Sequence, residues 1–191
     1  MDDAPFARPD ALDGILADAA RAGFAMSCEE RTGSLLATLA ATKPGGTLVE
    51  LGTGVGAGAA WLLHGMAPTA RLTSVEIDPG TQMVAVRHLG HDRRVRFEAL
   101  SADRWLRAYR GPAIDLAYVD CRPGKFHLLD RLLSLMAPGG IYVVDDLLPQ
   151  DTWPDDHQPR VDGFLARLPE QRNLRATPLR WASGLVVGAR V

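Results

Sequence analysis

The feature that most constrains this chain is a strand that runs directly into a glycine-rich turn. Residues 48–58 read Leu-Val-Glu-Leu-Gly-Thr-Gly-Val-Gly-Ala-Gly. Glycine permits a tight turn and has no Cβ to hold off a ligand, and the helix that follows presents free N–H groups. A second apolar run ends in Ser-Val-Glu-Ile-Asp at 74–78, and its acid, Glu76, can accept both hydroxyls of a ribose. Together the two segments predict a nucleoside-binding crevice at the edge of a sheet.

The spacing of the glycines indicates which kind of nucleoside the crevice would bind. A dinucleotide fold expects Gly-x-Gly-x-x-Gly with a pyrophosphate at the helix N-terminus, whereas this turn reads Gly-x-Gly-x-Gly and follows Glu50. A carboxylate beside the turn repels a pyrophosphate and attracts a cation. S-adenosylmethionine carries a sulfonium and an ammonium but no phosphate, so the pattern favours it over NAD. The alternative is a plain βα turn in another α/β fold, with Glu76 a solvated acid at a strand end.

Composition limits the class of protein. The chain has 191 residues and 47% hydrophobic content, which predicts one domain over residues 1–191, with residues 1–25 as an N-terminal helical segment. A net charge of −2 and scattered arginines argue against a nucleic-acid or membrane partner. No apolar run reaches transmembrane length, and the acidic start does not resemble a signal peptide. Cys28 and Cys121 lack metal-ligand spacing, which predicts reduced thiols and a cytoplasmic protein.

Hydrophobic periodicity predicts that helices and buried strands alternate along the chain. Helices are predicted at 10–21, 30–42, 57–66, 80–89, 102–109, 126–136 and 161–168. Strands are predicted at 47–51, 71–77, 94–99, 114–119, 140–144, 174–181 and 185–191. Alternation implies parallel strands with right-handed crossovers, and the last two runs, joined by Ser183-Gly184, indicate a hairpin. We therefore expect an α/β fold with a doubly wound, mostly parallel seven-stranded sheet that ends in a C-terminal antiparallel hairpin.

The order of these motifs resembles that of class I S-adenosylmethionine-dependent methyltransferases, and most of all the small-molecule O-methyltransferases of the caffeoyl-CoA and catechol type. The segments that carry the resemblance are 26–27, 33–36, 49–54, 75–78, 101–103, 114–120, 139–146 and 183–187. The resemblance implies a Rossmann-like methyltransferase fold, a homodimer and an S-adenosylmethionine site. The cofactor-binding residues that it implies are Met26, Ser27, Glu50, Gly52, Gly54, Gly58, Glu76, Ile77, Ser101, Ala102 and Asp120.

Three carboxylates, Asp120, Asp145 and Asp146, fall at the carboxyl ends of adjacent predicted strands, on the edge where ligands bind. They would repel one another unless a cation, protons or an arginine neutralised them. Mg²⁺ or another divalent cation takes such oxygen ligands and lowers the pKa of a bound hydroxyl. The family that the chain resembles has Asp, Asp and Asn here. The other interpretation has no metal: Asp145 and Asp146 cap the next loop, and Asp120 orients the cofactor amine. The sequence leaves both open.

The group that would deprotonate the acceptor departs from the family pattern. Metal-dependent members have a lysine three residues after the fourth-strand aspartate, where this chain has Pro123 and then Lys125 two places later. Lys125 and Asp120 are therefore the candidate catalytic residues, and the alternative for Lys125 is a solvated surface lysine. The long loop at 147–160 is expected to shape the acceptor pocket. Its Trp153 either stacks on an aromatic acceptor or anchors the loop.

These observations predict an O-methyltransferase that transfers a methyl group from S-adenosylmethionine to a hydroxyl of a small, aromatic or catechol-like molecule. Two other classes stay open. A protein that binds the cofactor without catalysis is supported by the altered loop at Pro123. An NAD(P)-dependent oxidoreductase is disfavoured by the glycine spacing and by the absence of a Tyr-x-x-x-Lys pair from the sequence.

Overall fold

The fold alternates helices and strands, and the computed structural model describes residues 3–150 and 153–191 of the chain. The helices are α1 (Leu12–Arg21), α2 (Glu30–Ala41), α3 (Ala57–Gly65), α4 (Pro79–Leu89), α5 (Ala102–Ala108), α6 (Leu129–Leu135) and α7 (His157–Arg167). The strands are β1 (Thr47–Leu51), β2 (Arg71–Glu76), β3 (Val95–Ala99), β4 (Ile114–Val119), β5 (Met136–Val144), β6 (Leu174–Leu179) and β7 (Leu185–Arg190).

The described strands form one seven-stranded sheet in the order β3-β2-β1-β4-β5-β7-β6. Strands β1 to β5 pair in parallel, and β7 pairs antiparallel with both β5 and β6. The predicted doubly wound sheet with a C-terminal hairpin is confirmed. The chain first winds outward from β1 to β3 and then returns to β4 on the other side of β1. A crevice forms at such a reversal, outside the carboxyl ends of the strands.

Alternate residues of the central strands face two separate cores. Val49 and Leu51 of β1 point to the layer of α5, α6 and α7, where their partners are Trp105, Leu106, Leu132, Leu133, Val161 and Phe164. Leu48 of β1 and Tyr118 of β4 point to the opposite layer, where the partners from α1, α2, α3 and α4 are Ile15, Leu36, Ala59, Leu62 and Leu89. Since both faces are covered, these strands read as continuous apolar runs in the sequence.

Three predicted element boundaries differ from the structure by three residues or more, and the others differ by at most two. Helix α6 begins at Leu129 rather than at 126, because its N-cap, Leu128, has a positive φ of 59°, which a helix cannot contain. Strand β5 begins at Met136 rather than at 140, and its pairing with β4 is irregular next to Ile114. Helix α7 begins at His157 rather than at 161, since Pro159 lies in the first turn, where N–H groups have no intrahelical partner.

No helix among the residues that the structure describes is long and apolar enough to cross a bilayer. The longest, α2, has 12 residues, whereas a spanning helix needs about 20 apolar residues.

Candidate functional site

A cleft of about 570 Å³ opens at the carboxyl edge of the sheet, between the ends of β1 and β4. It is lined by every residue that the sequence predicted for the cofactor: Met26, Ser27, Glu50, Gly52, Gly54, Gly58, Glu76, Ile77, Ser101, Ala102 and Asp120. Its volume lies in the range of small-molecule sites, about 300–1,000 Å³. The structure therefore brings the glycine turn, the acid of β2 and the acid after β4 into one space.

The turn that follows β1 requires its glycines for two reasons. Gly52 has a φ of 99°, and a Cβ there would lie 2.6 Å from the carbonyl oxygen of Asp120. Gly56 has a φ of 98° and is the N-cap of α3. A side chain at either position would be strained. The turn thus lets the main chain after β1 approach the end of β4 and directs the N-terminus of α3 toward the cleft.

The carboxylate of Glu76 is held by three main-chain amides. Its Oε2 accepts from Gly54 at 2.9 Å, and its Oε1 accepts from Ile77 at 2.8 Å and from Asp78 at 3.1 Å. Carboxylates that accept amide hydrogens form stronger bonds than neutral acceptors. Glu76 is therefore fixed at the end of β2, next to the glycine turn.

A row of polar side chains crosses the otherwise apolar face beneath α3. The register places Glu50 of β1 between Ser74 of β2 and Tyr118 of β4. The Ser74 hydroxyl donates to Glu50 Oε2, the Thr53 and Ser74 hydroxyls are 2.6 Å apart, and Gln82 Nε2 donates to Thr53 at 3.1 Å. This chain of hydrogen bonds holds one oxygen of Glu50 from the side of β2.

The second oxygen of Glu50 has no partner among the described residues, although the side chain is fully buried. A Cβ at Gly58 would lie 2.4 Å from this atom, so only glycine leaves room for it. Burial, with smaller contributions from Asp120 and Glu76, raises the pKa of Glu50 to about 8. An unpaired buried carboxylate is costly, and a cation in the cleft would offset that cost.

Asp145 occupies the interior behind the cleft. Its Oδ2 accepts from the Tyr118 hydroxyl at 2.9 Å, and its Oδ1 accepts from the Asp146 amide at 2.8 Å and from the Ser183 hydroxyl. The side chain is 3% exposed and does not line the cleft, whereas Asp120 and Asp146 do. Asp145 is thus an internal anchor for the loop after β5.

The predicted metal trio is not assembled as a set of ligands. No group of three His, Cys, Asp or Glu side chains within residues 3–150 and 153–191 is arranged to hold a metal ion. Asp120, Asp145 and Asp146 are close enough to affect one another, since burial and the neighbouring acids raise the pKa of Asp120 and Asp146. Both oxygens of Asp145, however, already face donors. In this arrangement the residues do not fit the Mg²⁺ site that the sequence offered as one of two interpretations.

Lys125 differs from both interpretations offered by the sequence. It is not a solvated surface lysine, because its side chain is 2% exposed. Nor does it line the cleft: its ammonium donates to the main-chain carbonyl of Asp145 at 2.9 Å and lies 5.0 Å from the centre of the Phe126 ring. In this geometry it supports the loop after β5 and lies outside the cleft lining.

The mouth of the cleft carries two large apolar side chains that face water. Met26 is 68% exposed and Ile77 is 71% exposed, and both line the cleft. Trp153 does not line it; its ring lies 4.2 Å from that of His157, as expected for an anchor of the loop. Both cysteines, Cys28 and Cys121, are free and line the cleft.

Sequence reasoning missed two residues of the site, Tyr118 and Ser183. Tyr118 lies in the apolar run of β4, where an aromatic residue is usually part of a core. Tyr118 lies two residues before Asp120 and on the same face of the sheet as Glu50, and this position could have indicated that it belongs to the site. Ser183 lies in the turn between β6 and β7, and nothing in the sequence links that turn to Asp145.

The fold and the cleft together define a class of protein: a doubly wound α/β protein with a cleft at the point where its strand order reverses, which is where such folds bind ligands. Comparison with known families narrows the class. Residues 49–147 match the model of the methyltransferase domain family. The chain belongs to this family, and the matched region includes the glycine turn, Glu76 and all three aspartates.

Individual relatives agree with this assignment. A provisionally named O-methyltransferase of Mycolicibacterium vanbaalenii is 31% identical over 117 residues, which are 59% of this chain and 52% of that protein. The chain thus spans about half the length of the curated relatives it matches.

Solved structures share the fold over nearly the whole chain. An O-methyltransferase from Bacillus cereus, crystallised in complex with SAH, superposes with a TM-score of 0.84 at 18% identity and covers 97% of this chain and 93% of its own. TomG from Streptomyces achromogenes, an O-methyltransferase involved in tomaymycin synthesis and crystallised with SAM, gives 0.83 at 22% identity, with 95% and 90% covered.

Proposed function

We propose that this protein is an O-methyltransferase that transfers the methyl group of S-adenosylmethionine to a hydroxyl of a small, aromatic or catechol-like acceptor. The observation that carries the proposal is the composition of the cleft. Its described lining includes six carboxyl groups and one guanidinium, that of Arg122; the acids are Glu50, Glu76, Asp78, Asp103, Asp120 and Asp146. Such a lining favours a cationic donor over the pyrophosphate of a dinucleotide.

Each part of the donor has a group of matching chemistry in the cleft. Glu76 lies where it can accept the ribose hydroxyls. The exposed Met26 and Ile77 offer apolar surface to a flat base. The first amides of α3 suit a carboxylate, while Glu50 and Asp120 suit an ammonium or a sulfonium.

Methyl transfer is a displacement at carbon in which the acceptor oxygen forms a bond to the methyl group while the sulfonium leaves as a neutral thioether. The proton of the acceptor hydroxyl passes to the carboxylate of Asp120, the candidate base that lines the cleft. The chain's own contribution is to position the two reactants and to exclude water. The glycine turn and Glu76 fix the donor, and Asp120, which lines the cleft at the end of β4, faces the space beside it. The names of the related O-methyltransferases support oxygen as the accepting atom.

The test is calorimetric titration of the full chain with S-adenosylmethionine and with NAD, followed by an assay for transfer of labelled methyl to catechol-type acceptors. We expect saturable heat with S-adenosylmethionine only, and label in the acceptor. Heat with NAD alone would overturn the proposal.

A second candidate is a protein that binds S-adenosylmethionine without transferring its methyl group. The burial of Lys125 favours it, because the ammonium is engaged by the Asp145 carbonyl and does not face the cleft. Saturable binding without transfer to any hydroxyl acceptor would distinguish this candidate from the enzyme.

A further inference from the structure

We propose that the acceptor end of the cleft, the part lined by Asp120 and Asp146, operates without a divalent cation. In place of a cation, the hydroxyls of Tyr118 and Ser183 hold the neighbouring carboxylates of Asp145 and Asp120. The inference rests on the proposed function, since it concerns the same cleft. It gives Tyr118 and Ser183 a positioning role toward Asp145 and, through Tyr118, toward Asp120.

The lone pairs of Asp145 point at hydrogen-bond donors of the protein. Oδ2 faces the hydroxyl of Tyr118, and Oδ1 faces both the amide of Asp146 and the hydroxyl of Ser183. A metal ligand must aim its lone pairs at the ion, and here they are aimed at hydrogen-bond donors. Asp145 is also buried and outside the cleft lining. A cation in the cleft would thus be left with Asp120 and Asp146 as its carboxylate ligands from this trio.

Separate elements of the fold hold Asp145 in this orientation. Ser183 belongs to the β6–β7 turn, and its carbonyl accepts the amides of Leu147 and Leu148, so the turn is bound to the loop after β5. From another side, the Lys125 ammonium donates to the Asp145 carbonyl. Rotation of the carboxylate toward the cleft would leave the Ser183 hydroxyl and the Asp146 amide without this acceptor, and the Tyr118 hydroxyl with only its longer contact to Asp120.

The Tyr118 hydroxyl has a fixed position between two carboxylates. It lies 2.9 Å from Asp145 Oδ2 and 3.3 Å from Asp120 Oδ2, so it stands between the two carboxylates that the family pattern would join through a metal. Its ring packs beneath α3, where a Cβ at Gly58 would come within 2.9 Å of it. The ring therefore has little freedom, and the hydroxyl acts as a rigid spacer between Asp145 and Asp120.

The experiment measures Mn²⁺ binding to the full chain, with S-adenosylmethionine present, by calorimetry and by the electron paramagnetic resonance signal of free Mn²⁺. Methyl transfer is assayed in parallel with EDTA. We expect no saturable Mn²⁺ binding and a change in rate below about twofold with the chelator. Saturable Mn²⁺ binding that is lost in Asp145→Asn, or transfer abolished by EDTA, would overturn the inference.

Variants test the role of the two hydroxyls. Tyr118→Phe and Ser183→Ala, singly and combined, free the oxygens of Asp145 and are expected to create saturable Mn²⁺ binding. Tyr142→Phe is the matched control, because this buried hydroxyl donates to the Gly124 carbonyl and does not touch the trio. If none of the three variants, each shown to be folded by circular dichroism, binds Mn²⁺ saturably, the positioning role of the two hydroxyls is wrong.

Failure of this inference can be distinguished from failure of the proposed function. Loss of the function would appear as absence of heat with S-adenosylmethionine, whereas failure of the inference would appear as Mn²⁺ binding or chelator sensitivity in a protein that still binds S-adenosylmethionine.

Discussion

The amide of Gly54 donates to Oε2 of Glu76 at 2.9 Å, across the gap between the turn after β1 and the end of β2. The two motifs from which the sequence predicted a nucleoside crevice are therefore one hydrogen-bonded unit. The other oxygen of Glu76 accepts the amides of Ile77 and Asp78. This arrangement fixes the carboxylate in position, so little conformational freedom remains to be lost when a ribose is bound.

Glu76→Ala is expected to weaken S-adenosylmethionine binding about 100-fold, because hydrogen bonds to a charged group contribute about 1.5–3 kcal/mol. Glu76→Gln, which keeps one acceptor oxygen, should lose less. Calorimetric titration measures both affinities.

The control for Glu76 is Glu98→Gln on β3, which lies one strand away and outside the cleft lining. We expect its affinity to equal that of the unmodified chain. Unchanged affinity in Glu76→Ala would contradict the assignment of the ribose site.

Glu50→Gln is expected to bind S-adenosylmethionine about tenfold more weakly, because it removes the buried carboxyl group that can ionise beside the cationic donor. In the unmodified chain the donor's affinity should rise with pH, since the pKa of Glu50 in the free protein is about 8 and the cation binds its ionised form. Titrations at several pH values measure both effects. A pH-independent affinity, equal in the two proteins, would contradict this role.

The same carboxyl predicts how stability depends on pH. The folded-state pKa of about 8 lies above the ordinary value of 4.5, so the folded chain keeps a proton that the unfolded chain releases. The Glu50 contribution is therefore fully present below about pH 4.5 and is lost as the pH rises toward 8. Relative to Glu50→Gln, the unmodified chain should lose about 1–3 kcal/mol of unfolding free energy between about pH 6 and pH 9. Urea unfolding at several pH values measures this difference. If the unfolding free energies of the two proteins changed with pH in parallel, the prediction would be wrong.

Gly58→Ala is expected to destabilise the fold by about 1–3 kcal/mol through overpacking. Its Cβ would lie 2.4 Å from Glu50 Oε1 and 2.9 Å from the Tyr118 ring. Alanine is otherwise the better helix former by about 1 kcal/mol. A loss of stability would therefore show that overpacking outweighs the gain in helix propensity. Thermal and urea unfolding measure it.

Gly163→Ala in α7 provides the matched helical control, since the nearest atom to its Cβ would be 3.9 Å away, in Arg167. This change should stabilise the fold by about 0.5–1 kcal/mol. Equal effects at Gly58 and Gly163 would show that the contact with Glu50 and Tyr118 has no energetic role.

Lys125→Met is expected to lower the unfolding free energy by about 2–3 kcal/mol, because it leaves the buried Asp145 carbonyl without its donor and removes a cation from the acid cluster. The pKa of Asp120 and Asp146, which Lys125 lowers, should rise further. Affinity for S-adenosylmethionine should persist, since Lys125 does not line the cleft.

Lys43→Met is the corresponding control near the surface, where the ammonium donates to the Gly139 carbonyl at 3.0 Å. It should cost less than about 1 kcal/mol, as solvent can replace the bond. Equal losses at Lys43 and Lys125 would contradict the structural role assigned to the buried lysine.

The sequence was sufficient for the doubly wound sheet with its C-terminal hairpin and for the residues that meet in the cleft, because both depend on short local patterns. A buried parallel strand is a continuous apolar run, and the turn glycines have positive φ that other residues rarely adopt. The start of α6 could not be predicted, since it depends on the left-handed conformation of Leu128, which is rare for a leucine.

The acceptor end was harder to predict because its contacts join distant segments. Ser183 reaches Asp145 only because β7 pairs with β5. Lys125 is buried through a tertiary contact, against the usual exposure of lysine. The three aspartates were correctly placed at the strand ends, but the orientation of Asp145 depends on hydroxyls that no motif includes.

The apolar side chains of Met26 and Ile77 at the mouth of the cleft also have a thermodynamic consequence. A ligand whose flat ring covers them removes hydrocarbon surface from water, and such burial lowers the heat capacity of the system. The enthalpy of association should therefore become more negative as the temperature rises, and serine at both positions should flatten that slope.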